Sequence, residues 1–255
     1  PRFPISRKMA LNVGIKSAHH ECMVFTSTDA VPQTDRWLAL MAKGFTRGEI
    51  VVGYCGVERG KGFANYMMRA WRMMHGVDWI ARAVRRNPYR GTLHNIGFTK
   101  NIYFGSKGFS HLNMNIGEDD LYMQKVMTHD NVSVILSPRA TLREKTWGGM
   151  RWWMGQLRYY GSAFRFYPQA VRTYVGWELW SRVLFFATAA CALAVMPLEY
   201  KIATLALVII RYVVVALEVR RVARRLGESG IMGRYFIYDL LSPLWAAALW
   251  VMLLR

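Results

Sequence analysis

The sequence predicts an α/β domain followed by apolar helices that cross a membrane. Three observations carry that expectation. Up to Pro138, short runs of β-branched and aromatic residues alternate with segments of helical period, as in an α/β sheet domain. From Val175 onward the chain turns into long apolar runs separated by short charged junctions. The chain is also strongly basic, with 34 Lys and Arg against 16 Asp and Glu for a net charge of +18, and its arginines crowd beside the apolar runs.

The strands expected are 23–26, 49–54 and 131–136, each bounded by turn residues. The helices expected are 6–20, 35–43, 62–85 and 118–128. These elements make up a domain at 1–138. Segments 183–198 and 240–254 carry no charge, and Trp177, Trp180, Tyr235, Phe236 and Tyr238 extend them toward the ~20 residues a span requires. Segment 202–217 is broken only by Arg211. The reading is therefore about three transmembrane helices, near 177–198, 201–218 and 236–254, within a region 175–255. A buried core helix is the plainer alternative for such runs. Arg211 would cost about 2.5 to 3.5 kcal/mol in a span unless it snorkels or pairs, and Asp239 is a candidate partner.

Arg220, Arg221, Arg224, Arg225 and Arg234 follow the second apolar run, whereas the turn before it is short and nearly neutral. The positive-inside rule places that loop, and the N-terminal region with it, in the cytoplasm. Cys22, Cys55 and Cys191 are odd in number and lack metal-ligand spacing, which suits a reducing compartment. Because the basic excess lies next to apolar runs, its partners are expected to be membrane lipids, with no nucleic acid.

Between domain and spans, 139–174 reads as an interfacial amphipathic region. Arg151, Arg158, Arg165 and Arg172 recur every seven residues, so on one helix they share a face, with Trp152, Trp153, Tyr159, Tyr160, Phe166 and Tyr167 beside it. Pro168 should break that helix near its end. The alternative is a helix packed on the sheet with a solvated basic face. Glu144 is the only acid in this stretch.

Acids elsewhere are few and grouped. Glu118, Asp119 and Asp120 follow Gly117 at a predicted helix start, where they complement the helix dipole. Crowding also raises the proton affinity of a carboxylate, so one of them could act as a general base. At the end of a predicted strand, Ser27, Thr28 and Asp29 either form a turn or place one carboxylate where Mg or Mn can use it. His94 and His111 are candidate metal ligands, or ordinary hydrogen-bonding residues.

The ordered set "SRKMALNVGIKSA", "FTSTDAVPQTDRWL", "GTLHNIGF", "KGFSHLN", "GEDDL", "KTW" and "WWMGQLRYY", followed by apolar helices, resembles the membrane-bound family 2 glycosyltransferases of bacteria. The likeness runs from about residue 5 to residue 160. It implies an A-type glycosyltransferase domain, a mostly parallel sheet between helices, here expected to lack its N-terminal portion. It also implies inverting transfer from a nucleotide-sugar donor to a lipid-linked or polysaccharide acceptor, at the cytoplasmic face of the bacterial inner membrane. The family's Asp-x-Asp motif falls on Ser27, Thr28 and Asp29, leaving Asp29 as ligand for a divalent cation, Mg or Mn. Its Glu-Asp pair falls on Glu118 and Asp119, with Asp119 the base and Glu118 an acceptor contact. Of its Gln-x-x-Arg-Trp motif, Gln156 matches and the arginine is one place early, at Arg158. The resemblance puts Lys8, Asn12 and Gly14 on the donor side and Asn95, Gly108 and Phe109 on the acceptor side. Ser27 and the displaced arginine favour the alternative, a non-catalytic membrane protein built on a degenerate transferase domain.

Overall fold

The computed structural model describes residues 7–111 and 119–253. Helix α1 (Arg7–Ser17) leads into β1 (Cys22–Thr26), β2 (Ala30–Pro32), α2 (Trp37–Gly44), β3 (Ile50–Gly53), β4 (Cys55–Val57) and the long α3 (Phe63–Val84). Then come β5 (Asn95–Thr99), α4 (Lys100–Gly105), α5 (Asp120–Val126), β6 (Val132–Ile135) and β7 (Leu142–Glu144). Helices α6 (Met150–Phe164), α7 (Gln169–Val195), α8 (Leu198–Arg225) and α9 (Tyr235–Leu253) follow.

The larger sheet has the order β1-β5-β3-β6. Strand β5 runs antiparallel to both β1 and β3, while β3 and β6 are parallel, so three strands share a direction and β5 is reversed between them. Strand β3 shows why its sequence is a continuous apolar run. Val51 joins Met41, Ile135 and Ala140 under α2, whereas Ile50 and Val52 join the larger core with Met67 and Met73 of α3 and Tyr122 and Met123 of α5. Successive residues of a strand face opposite ways, and here both faces are covered.

A second, smaller sheet has the order β2-β7-β4, with β7 antiparallel to β2 and parallel to β4. The corner between the sheets is held by Asn95, which the resemblance placed on the acceptor side. Its Nδ2 donates to the carbonyls of Tyr54 (2.9 Å) and Ala140 (3.0 Å), and its Oδ1 accepts from Trp37 Nε1 (3.0 Å). A Cβ on Gly53 would lie 2.5 Å from the same Nδ2, so the strand passes only as glycine.

The region 139–174 divides differently from the expectation. Residues 142–144 form β7 and belong to the domain. Helix α6 stops at Phe164, so Arg151 and Arg158 lie on α6, Arg165 at its C-terminal cap and Arg172 on α7. The cause is local: Tyr167 turns inward to donate to Asp120 Oδ2 (2.6 Å), and Pro168 lacks the N–H that would continue the helix. Helix α6 buries Trp153, Leu157, Tyr160 and Ala163 on one face and leaves Arg151 and Arg158 exposed. One face thus packs on the domain and the opposite face presents arginines outward.

Helices α7 and α8, of 27 and 28 residues, are long and apolar enough to cross a membrane, and among the described residues they are the two that qualify. The first of them begins at Gln169, upstream of the expected 177. The third expected span became α9, which lies along α6 and α3, with Trp245 edge-on to Trp153 at 5.0 Å. Arg211 of α8 does pair with Asp239 of α9 (2.5 Å), and Arg182 of α7 reaches the other carboxylate oxygen at 3.5 Å. One buried acid therefore ties three helices together.

Helix α8 ends in a left-handed glycine, Gly227, with φ +64. Glu228 N donates to Ala223 O (2.7 Å) and Gly227 N to Arg224 O (3.4 Å), the hydrogen-bond pattern that closes a helix on glycine. The turn carries Glu228 into the domain. There it meets Arg69 (2.8 Å), the hydroxyl of Tyr54 (3.0 Å) and Arg143 (3.7 Å). Arg143 also donates to the carbonyls of Leu226 and Gly227, and Arg69 to that of Ser229. Arg220, Arg221, Arg224 and Arg225 thus lie on the last turns of α8 and not in a loop, and the turn that follows them is docked on the domain.

Replacing Glu228 by Ala leaves two buried guanidinium groups facing no acid, a loss of about 3–5 kcal/mol. Thermal unfolding in detergent should show the midpoint lowered by roughly 10 °C. An unchanged midpoint would show that this node does not hold loop and domain together.

Candidate functional site

A cavity of about 400 Å³ opens where β1 ends and the chain crosses to the second sheet. Phe25 and Thr26 of β1 line it, followed by Ser27, Thr28 and Asp29. Ala30 N donates to Ser27 O (3.1 Å), which makes the segment a tight turn, and Lys145 N donates to Asp29 O (2.9 Å), which fastens it beside β7. The half-buried carboxylate of Asp29 has no hydrogen-bond or ion-pair partner among the described residues.

The opposite wall is helix α6, through Gln156, Tyr159 and Tyr160. These positions fall on one helical face, three and four residues apart. Arg158 lies off that face and is exposed, so the arginine one place early in the motif is outside the cavity lining. Leu11 of α1 closes one end; of the neighbouring candidates, Asn12 accepts from the hydroxyl of Tyr103 (3.2 Å), Lys8 is half-buried and Gly14 is exposed, all outside the lining.

Leu93, His94 and Glu144 complete the lining. Glu144 is buried, with Oε2 accepting from Arg72 Nη2 (2.6 Å) and Oε1 3.5 Å from His94 Nε2. Burial pushes its carboxyl up, but the hydrogen bond with His94 and the charge of Arg72 outweigh that and hold it down to about 2. Sequence reasoning missed Arg72 and gave Glu144 no role. The available signal was that a lone acid in so basic a stretch needs a partner.

The three successive acids have separate fates. Glu118 lies outside the described residues. Asp120 turns away from the cavity to Arg90 (3.2 Å) and Tyr167 (2.6 Å); burial raises its carboxyl to about 6, with Arg90 opposing and Asp119 adding. Asp119 is 1 % exposed and caps α5, its Oδ1 accepting from Asp120 N (3.0 Å). Its Oδ2 is enclosed and has no hydrogen-bond partner among the described residues. Asp119 is not in the cavity lining, which includes Tyr160. Burial raises the Tyr160 hydroxyl, Arg72 opposes, and the charge of Asp119 adds to the rise.

The acceptor-side candidates serve packing instead. Asn95 is enclosed at the sheet corner. Gly108, at φ +51, leaves no room for a side chain, since a Cβ would sit 2.5 Å from Tyr103 Cζ. Phe109 packs edge-on to Tyr103 (5.2 Å) and Tyr122 (5.0 Å). The side chain of His111 lies outside the described residues.

Among the described residues no group of three or more His, Cys, Asp or Glu is placed to hold a metal. The open carboxylate of Asp29 would supply one oxygen ligand to a hard cation. A comparison with protein-family models and with curated proteins finds no match.

The depressed Glu144 carboxyl has a consequence for stability. Its ordinary value is 4.5 and its folded value about 2, so its contribution, about 3 kcal/mol, is complete above pH 4.5 and is lost as pH falls toward 2. Unfolding measured across that window should be less pH-dependent in Glu144→Gln than in the unaltered protein. Parallel pH profiles would contradict the pairing.

Proposed function

We propose that this chain is a membrane-anchored glycosyltransferase that moves a sugar from a nucleotide-sugar to a hydroxyl of a lipid-linked or polysaccharide acceptor, with inversion. The observation that carries the reading is the unpartnered Asp29 carboxylate at a strand end, in a cavity of about 400 Å³ that it shares with Gln156. The docked α8–α9 loop supports the membrane topology, because it keeps the arginine-rich segment on the side of the domain, the cytoplasmic side under the positive-inside rule. Helices α7 and α8, joined to α9 through Asp239, would anchor the enzyme in a bacterial inner membrane as a multi-pass protein.

In this reading Asp29 holds the divalent cation, Mg or Mn, which when bound neutralises charge on the leaving diphosphate. The Gln156 amide orients the donor. Glu144, kept ionised by Arg72, forms with His94 a polar wall for sugar hydroxyls. The acceptor oxygen attacks the anomeric carbon as the bond to the diphosphate oxygen breaks, and the hydroxyl proton passes to Asp119 Oδ2. Asp119 is buried outside the cavity lining, so that oxygen must become exposed before the acceptor can reach it.

A second reading has specific support: Asp119 is enclosed, Ser27 replaces an acid, and the acceptor-side candidates are absorbed in packing. These features suit a non-catalytic membrane protein on the same scaffold.

The test is incorporation of labelled sugar from a panel of nucleotide-sugars, with Mn, by membranes carrying the chain. Asp119→Asn should lower incorporation by about 100-fold or more, the scale of a lost general base, and Asp29→Asn should raise the Mn requirement. Equal incorporation by the unaltered chain and Asp119→Asn would reject the base. No incorporation with any donor would favour the second reading.

A further inference from the structure

A shallow, open groove lies along one face of α7, lined by Gln169, Arg172, Thr173, Gly176, Trp177 and Trp180. The proposed reaction uses none of these residues. Their spacing follows the helical repeat, so they form a groove on a single face. At Gly176 a Cβ would meet nothing within 4 Å, so this face is open between a cationic end and two indoles.

Each end has a definite chemistry. Trp177 and Trp180 are 65 % and 61 % exposed, at the head of a helix that is free of charge from 183 to 195. Tryptophan so placed settles at the level of lipid headgroups. The guanidinium of Arg172 meets Gln169 Oε1, its Nε is buried with no hydrogen-bond partner, and no carboxylate pairs with it among the described residues. Arg182, further along the same helix, is by contrast tied to Glu178 and Asp239. At 1.5 Å per residue, Arg172 and Trp180 stand about 12 Å apart along the axis, which spans a headgroup and the first methylenes of its chains.

We propose that this groove binds the headgroup of an anionic glycerophospholipid, with Arg172 on the phosphate and Trp177 and Trp180 along the glycerol and upper acyl chains. A zwitterionic headgroup brings its own cation, for which the groove lining supplies no acid. The inference depends on α7 lying in a membrane and not on the chemistry assigned to Asp29 and Asp119.

The experiment uses the full chain in phosphatidylcholine nanodiscs doped with the same mole fraction of phosphatidylglycerol or phosphatidylcholine brominated near the headgroup end of the chains. The fluorescence due to Trp177 and Trp180 is taken as the difference from a Trp177→Phe/Trp180→Phe variant. Brominated phosphatidylglycerol should quench it several-fold more than brominated phosphatidylcholine. Arg172→Gln should equalise the two lipids and Arg172→Lys should keep the preference. Gly176→Leu puts a side chain on this face where a Cβ meets nothing within 4 Å, and it favours helix, so loss of the preference there would not reflect unfolding. Equal quenching by both lipids in the unaltered chain, or a preference that survives Arg172→Gln, would overturn the proposal. So would removal of the preference by free inorganic phosphate, which would assign the site to a soluble anion.

Discussion

Strand β7 carries two adjacent buried charges, and the rest of the molecule is arranged around them. Arg143 faces the loop after α8 and meets Glu228; Glu144 faces the cavity and meets Arg72 and His94. Helix α3 supplies an arginine to each, Arg69 and Arg72, one turn apart. Taking such groups out of water is costly by several kcal/mol each, and partnership alone offsets it. Sheet, helix α3 and the membrane-side loop are therefore held to one mutual geometry. The cavity and the apolar helices are not independent modules joined by a tether.

That geometry accounts for the division of labour among the acids. Glu228, Glu144, Asp120 and Asp239 each face at least one arginine and act through it. Asp29 keeps its carboxylate open to the cavity, and Asp119 keeps one buried oxygen unpaired among the described residues. Asp119 also caps α5 through Oδ1, so the proposed chemistry draws on the open carboxylate of Asp29 and on the second oxygen of Asp119 alone.

Much of this could be read from residue order, and the exceptions have physical causes. Segments 23–26, 49–54 and 131–136 were legible as strands from their β-branched and aromatic runs, which in β3 are buried on both faces. Strands β2, β4 and β7, of three residues each, were not legible, being too short for a period to show. Strand β5 was hidden by Asn95 and Gly97, whose reasons are tertiary: one bonds the sheet corner, and a side chain on the other would meet Phe45. The seven-residue arginine repeat suggested one helix, but periodicity carries no knowledge of Tyr167 turning in toward Asp120. Asp29 was legible because a carboxylate just past a strand is a local feature. Glu144 with Arg72 was not, since 72 positions separate partners whose meeting depends on the fold. Asp239 was legible as one candidate partner of Arg211, beside snorkelling, because a charge in an apolar run calls for a counter-charge, and the fold brings the two together.

The central claim is that the cavity at the end of β1 holds a cation jointly with a diphosphate through Asp29. Electron paramagnetic resonance of protein-bound Mn, titrated with and without a nucleoside diphosphate, tests this without any need to know the sugar. Bound Mn should rise when the diphosphate is added to the unaltered chain, and that rise should largely disappear in Asp29→Asn. Equal binding by both chains, or Mn uptake indifferent to the diphosphate, would contradict it.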